Sequence, residues 1–159
     1  MVISIELPKR KSPRICGYDY STPNYYFITI CTHEKKCIFG KPNQLNENGK
    51  IAEEYLKKIP EIFHNVSLDK YVVMPNHIHG IFILKDDNET SDIAVILGQY
   101  KMAVTKAIRN IDPGRIVWQR SFHDHIIRNQ ASYEKIWMYI ENNPLKWEED
   151  CFYCTDSKG

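Results

Sequence analysis

The chain has almost no net charge. Its 159 residues hold 21 Lys and Arg against 20 Asp and Glu, a formal charge of +1 at neutral pH. A surface that grips duplex phosphates over a wide area is normally strongly basic, so the sum gives little support to a general polyanion glove. A long apolar run is also missing. The uncharged stretch from Tyr71 to Leu84 is too short to span a bilayer and contains Pro75, Asn76 and two histidines. The first fourteen residues mix apolar, acidic and basic side chains and lack the apolar region of a signal peptide. The five cysteines are few, odd in number and scattered, which does not suit a disulfide framework. Cys151 and Cys154 have zinc-like spacing, but no second pair completes a four-ligand site. There is no internal repeat and no low-complexity tract. These absences leave a soluble cytoplasmic protein with no membrane partner as the expectation.

What is present suits one compact domain, with 43% hydrophobic and 26% charged residues spread along the chain. Residues 1–23 read as a basic arm carrying Lys9, Arg10, Lys11 and Arg14, residues 24–150 as the folded domain, and residues 151–159 as a tail. Acidic residues gather at Asp86, Asp87, Glu89 and Asp92, and again at Glu148, Glu149 and Asp150. Tyr25 to Cys31, rich in aromatic and β-branched residues, predicts a strand. Ile51, Tyr55 and Ile59 recur at helical spacing over about Lys50 to Ile59, where Pro60 interrupts. Tyr71 to Met74, a Pro-Asn turn and His77 to Leu84 predict a hairpin. A second helix, about Asp92 to Asn110, shows an apolar face of Ile93, Ile96, Leu97, Tyr100, Val104 and Ile108. A last strand is expected near Ile116 to Trp118 or Ile126-Ile127, and a last helix over about Ser132 to Asn142. The order implies an α+β fold, a small ferredoxin-like antiparallel sheet with helices on one face.

Two features carry chemistry. His77 and His79 are two apart on a predicted strand, so they project from one face, about 7 Å apart along the chain. Two imidazoles can then converge on a divalent ion, although the spacing equally suits histidines bonded to neighbours or water. Tyr139 and Asn143 are four apart on the predicted last helix and share a face, separated by about 6 Å of rise. Asparagine offers a neutral oxygen to a metal, and tyrosine a hydroxyl to an electrophile. Tyrosine ordinarily titrates near pH ~10, so the phenol needs a nearby ion or dipole to offset its weak nucleophilicity. Read alone, the same two residues also suit a core-flanking tyrosine and a helix terminator before Pro144.

In combination these motifs resemble the HUH single-tyrosine transposases. The stretch Tyr71-Val72-Val73-Met74-Pro75-Asn76-His77-Ile78-His79-Gly80 is similar to the family's histidine–hydrophobe–histidine signature. The stretch from Trp118 through His123-Asp124-His125 to Asn129, followed by Tyr139 to Pro144, looks most like the REP-associated tyrosine transposases. Gly17-Tyr18-Asp19-Tyr20 and Phe27 to Cys31 also resemble that branch. The resemblance spans roughly residues 10–149. It implies that His77 and His79 hold a divalent metal, Mg2+ or Mn2+, and that Tyr139 becomes joined to the 5′ phosphate of a cut strand. Asn143 stands where relatives carry a polar third ligand, often glutamine. The implied partner is single-stranded DNA near a hairpin, bound by a monomer or a homodimer.

The residues nominated for DNA contact are the basic arm, Lys101, Lys106 and Arg109 of the second helix, and Arg120 and Arg128. His125 is nominated for substrate positioning ahead of His123. Two other functions stay open on the sequence: a metal-dependent nuclease that uses water, and a nucleic-acid-binding relative whose chemistry has lapsed.

Overall fold

The computed structural model describes residues 24–85, 92–150 and 152–153. Within them run β1 (Asn24–Cys31), a two-residue-per-strand hairpin of β2 (Gly40–Lys41) and β3 (Gln44–Leu45), and α1 (Glu47–Ile62). Next come β4 (Val66–Met74), β5 (His77–Leu84), α2 (Ile93–Ile111), β6 (His123–Ile127) and α3 (Gln130–Asn142). The basic arm with Lys9, Arg10, Lys11 and Arg14, the acidic loop at 86–91, and Cys151 and Cys154 lie outside the described residues. The result is one α+β domain with a four-stranded antiparallel sheet in the order β4-β5-β1-β6.

The central strands are buried on both faces, and this organises the fold. Even-numbered positions of β1 and β5 (Tyr26, Ile28, Ile30, Ile78, Phe82) meet Ala52, Leu56 and Ile59 of α1 and Ile96, Leu97, Val104 and Ile108 of α2. Odd-numbered positions (Phe27, Ile81, with Ile127 of β6) meet Ile136 and Ile140 of α3. The helices therefore lie on two faces, not the one expected. The apolar stripe of α3 needs an apolar partner, and the face left open by α1 and α2 is the only large one the strands offer.

Local chemistry sets the boundaries. α1 begins three residues earlier than expected because Asn46 caps it, its side-chain oxygen accepting from Gly49 N at 2.9 Å. It also runs past Pro60, which sits in the last turn, where Phe63 N still closes on Ile59 O at 2.9 Å. α2 is capped by Asp92 and α3 by Asn129. Ile116 to Trp118 is not a sheet strand. It makes a single bridge between Trp118 and Thr32, and the Trp118 indole donates to Lys101 O at 3.1 Å. Among the described residues no helix is long and apolar enough to cross a membrane.

Candidate active site

The Pro75-Asn76 turn launches β5 with its odd-numbered side chains toward α3. His77 and His79 are thus neighbours on one face, both fully buried, their ring centroids 4.5 Å apart. Each ring is oriented through Nδ1. His77 Nδ1 lies 2.8 Å from the side-chain oxygen of Asn76, and His79 Nδ1 lies 2.8 Å from the Thr29 hydroxyl. Asn76 Nδ2 donates to Lys35 O and Phe152 O at 3.1 and 2.7 Å, which fixes which way its amide faces. An amide oxygen only accepts, so Nδ1 of His77 carries the ring proton and Nε2 presents a lone pair.

Both rings are held neutral. Burial pulls His77 down to about 4, with Asp150 and the Asn143 side chain acting in the opposite direction. Burial, then proximity to His77, pushes His79 well below its ordinary value. Neutral imidazole is the form that ligates metals. Neither Nε2 has a hydrogen-bond partner, nor does the buried side-chain oxygen of Asn143. Leaving a buried polar atom unsatisfied costs about 1–3 kcal/mol, and a cation shared by these acceptors would remove that cost.

α3 brings the other half of the site. Asn143, its C-terminal cap, keeps helical backbone angles and so stays on the face of Tyr139. The Tyr139 ring is half-buried, with its centroid 5.3 Å from that of His79 and 6.1 Å edge-on from that of Phe27. Tyr133 donates to Asp69, Lys70 pairs with Glu141, and the Lys70 ammonium lies 4.1 Å from the Trp137 ring centroid. These contacts clamp α3 to β4 and fix where Tyr139 stands.

Besides Thr29, two neighbours carry no signal in the sequence pattern. Asp150, read only as part of an acidic group, has its carboxylate 3.7 Å from His77 Nε2 and accepts from Asn143 Nδ2 at 2.8 Å. His77, His79 and Asp150 offer donor atoms that all lie within 4.8 Å of one another. Asn76, read only as a turn residue, is a fully buried hub. No spacing rule flags Asp150, because it reaches His77 through chain segments that meet only in the folded state. Asn76, beside His77 in the chain, reads as an ordinary turn residue until its contact with the ring is seen.

The other nominated residues are dispersed. Strand register puts His123 beside Thr29, in the row of His79, and His125 beside Phe27, one pleat further; both face α3. Arg120 and Arg128 are exposed at either end of β6. Lys101, Lys106 and Arg109 lie on α2, across the sheet from the histidines. The Lys101 ammonium donates to Gln119 O and Ser121 O at 2.8 and 2.9 Å, tying down the approach to β6. Arg109 Nε donates to Arg115 O at 2.9 Å.

The pattern that defines the IS200-like transposases matches residues 20–143, most of the chain and all of the site up to Asn143. The chain belongs to the IS200-like transposase family. This IS200-like transposase is 35% identical to an uncharacterized protein of Haemophilus influenzae over 91% of its own length and 93% of that protein's. It is 26% identical to a second protein of that organism, assigned by name to the REP-associated tyrosine transposases, over 80% of this chain and 74% of the other. Its fold is shared with the structure of a REP-associated tyrosine transposase bound to a REP hairpin. That match has a TM-score of 0.56 at 21% identity and covers 78% of this chain and 68% of the other. A transposase-type, DNA-processing function follows from the family.

Proposed function

We propose that this IS200-like transposase cuts and rejoins single-stranded DNA beside a hairpin, with Tyr139 as nucleophile and His77, His79 and Asn143 holding Mg2+ or Mn2+. The observation that carries this reading is the set of three buried, unpartnered donors, His77 Nε2, His79 Nε2 and Asn143 Oδ1, next to the Tyr139 ring. A divalent ion held there supplies Lewis-acid polarisation of the scissile phosphate. Thr29 and Asn76 keep both rings turned so that their Nε2 atoms face the gap. Tyr139 Oη forms a bond to phosphorus as its proton leaves, the bond to the 3′ oxygen breaks, and that oxygen takes up a proton as a 3′ hydroxyl. The 5′-phosphotyrosine then keeps the ester reactive toward a second 3′ hydroxyl, whose attack rejoins DNA and restores the phenol. Arg120 and Arg128, exposed at the ends of β6, would meet phosphates flanking the site. The REP hairpin in the related structure supports a hairpin as the partner.

The test is to incubate the protein and Mn2+ with labelled single-stranded hairpin DNA and look for an adduct that survives denaturation. The expected adduct is lost with chelator and in Tyr139→Phe. Cleavage without an adduct that persists in Tyr139→Phe would instead indicate a nuclease that uses water, and a mobility shift with intact DNA a binding module.

A further inference from the structure

Asp150 raises an electrostatic problem that the histidines and asparagine alone do not resolve. Its side chain is fully buried, as is that of His77. His77 Nε2 presents a lone pair because Asn76 holds the proton on Nδ1. An acceptor therefore faces a carboxylate at 3.7 Å with no proton between them. Nor would moving the proton to Nε2 repair this, since 3.7 Å is too long for a hydrogen bond. Asp150 itself has only partial compensation. Its Oδ2 accepts from Asn143 Nδ2 and its Oδ1 from Phe152 N, each at 2.8 Å. A buried carboxylate beside His77 and His79, with their Nε2 atoms and Asn143 Oδ1 left without partners, is a strongly cation-seeking arrangement.

We propose that Asp150 is a further ligand of the divalent ion held by His77 and His79, and that ion binding and docking of the C-terminal segment are one event. The inference rests on the metal centre proposed above and adds to it the only charged ligand. Donors sharing one small ion at bonds of about 2.1 Å stand about 3.0 Å apart at right angles and about 4.2 Å apart across it. The donor atoms of His77, His79 and Asp150 already lie within 4.8 Å of one another, with His77 Nε2 and the Asp150 carboxylate at 3.7 Å. Carboxylate oxygen is also what magnesium and manganese prefer, whereas two imidazoles and an amide do not discriminate against softer ions. His77, His79, Asn143 and Asp150 would together hold the ion, which would supply Lewis-acid polarisation to a phosphate brought beside Tyr139.

The segment that delivers Asp150 is built onto the site. Trp147 and Phe152 pack on His77, with ring centroids 6.0 and 4.5 Å away, and Phe152 O accepts from Asn76 Nδ2 at 2.7 Å. The same asparagine thus orients a metal-binding ring and pins the segment carrying the carboxylate. Loading the ion ties Asp150 to the sheet and protects the segment. Losing Asp150 loosens both.

The experiment is Mn2+ titration calorimetry on the full chain as wild type, Asp150→Asn, Asp150→Ala and His77→Ala. It is paired with hydrogen exchange of the peptide spanning Trp147 to Tyr153, with and without Mn2+. The near-isosteric Asp150→Asn guards against a general folding defect. We expect both Asp150 variants to bind Mn2+ roughly tenfold or more weakly, and Mn2+ to slow exchange of that peptide in wild type alone. Asp150 variants that bind within twofold of wild type while His77→Ala does not bind would overturn the inference and leave the metal centre standing. Unchanged exchange on adding Mn2+ to wild type would overturn the coupling. Undiminished binding by His77→Ala would overturn the metal centre itself.

Discussion

Thr29 sits in one of the two inner strands of the sheet, fully buried, with its hydroxyl 2.8 Å from His79 Nδ1. Its hydroxyl fixes the His79 ring, much as Asn76 fixes that of His77. Replacing it with valine keeps the shape but leaves Nδ1 without a partner and frees the ring to turn. Thr29→Val is expected to weaken Mn2+ binding about 10- to 100-fold while Thr29→Ser stays close to wild type, as read by calorimetry. Equal affinity in all three would remove Thr29 from the account. At this scale the sequence disclosed the residues whose spacing is itself the signal. His77 and His79 are two apart on a strand, and Tyr139 and Asn143 four apart on a helix. Thr29 and Asp150 were illegible because their partners, His79 and His77, are 50 and 73 residues away. Asn76 touches the ring of the next residue but reads as an ordinary turn asparagine, and its anchor at Phe152 is 76 residues away.

Among the elements, α1 shows how closely its first turn is built against the loop before it. A Cβ added at Gly49 would lie 2.3 Å from Phe39 O, so an alanine there must displace backbone. Gly98, within α2, has open space where its Cβ would be. Gly49→Ala should therefore cost about 1–3 kcal/mol, lowering Tm by roughly 3–10 °C. Gly98→Ala should leave Tm unchanged or raise it, since alanine favours the helix and reduces unfolded-chain entropy. A thermal melt in which Gly49→Ala is the more stable of the two would refute this packing. Helix and strand periodicity made α2, α3, β1 and the β4–β5 hairpin legible. The early start of α1 depended on Asn46 as a cap, and β6 on pairing with β1, neither of which periodicity measures.

For the molecule as a whole, the sheet divides a structural face from a chemical one. α1 and α2 complete the larger core on one side, and α3 brings Tyr139 to the histidines on the other. The sequence could not choose the face for α3, because β1 and β5 are apolar on both. Keeping neutral histidines on the chemical face has a consequence for stability. Above about pH 6.5 the rings are neutral in folded and unfolded chains alike, so they add no pH dependence. As pH falls toward 4, the unfolded chain takes up a proton that folded His77, lowered to about 4, still refuses. Stability of the metal-free protein should fall across that window, by on the order of 3 kcal/mol from His77 and further from His79. Urea midpoints between pH 4 and 7 would show it, with a shallower slope in His77→Gln; a flat wild-type profile would contradict it. The identity of the nucleophile is the central claim. Digesting the denatured protein–DNA adduct and mapping it by mass spectrometry tests that directly. The account predicts a 5′-phosphorylated nucleotide on the peptide containing Tyr139, formed only with Mg2+ or Mn2+. An adduct on any other residue, or cleavage of the hairpin strand with no adduct, would contradict it.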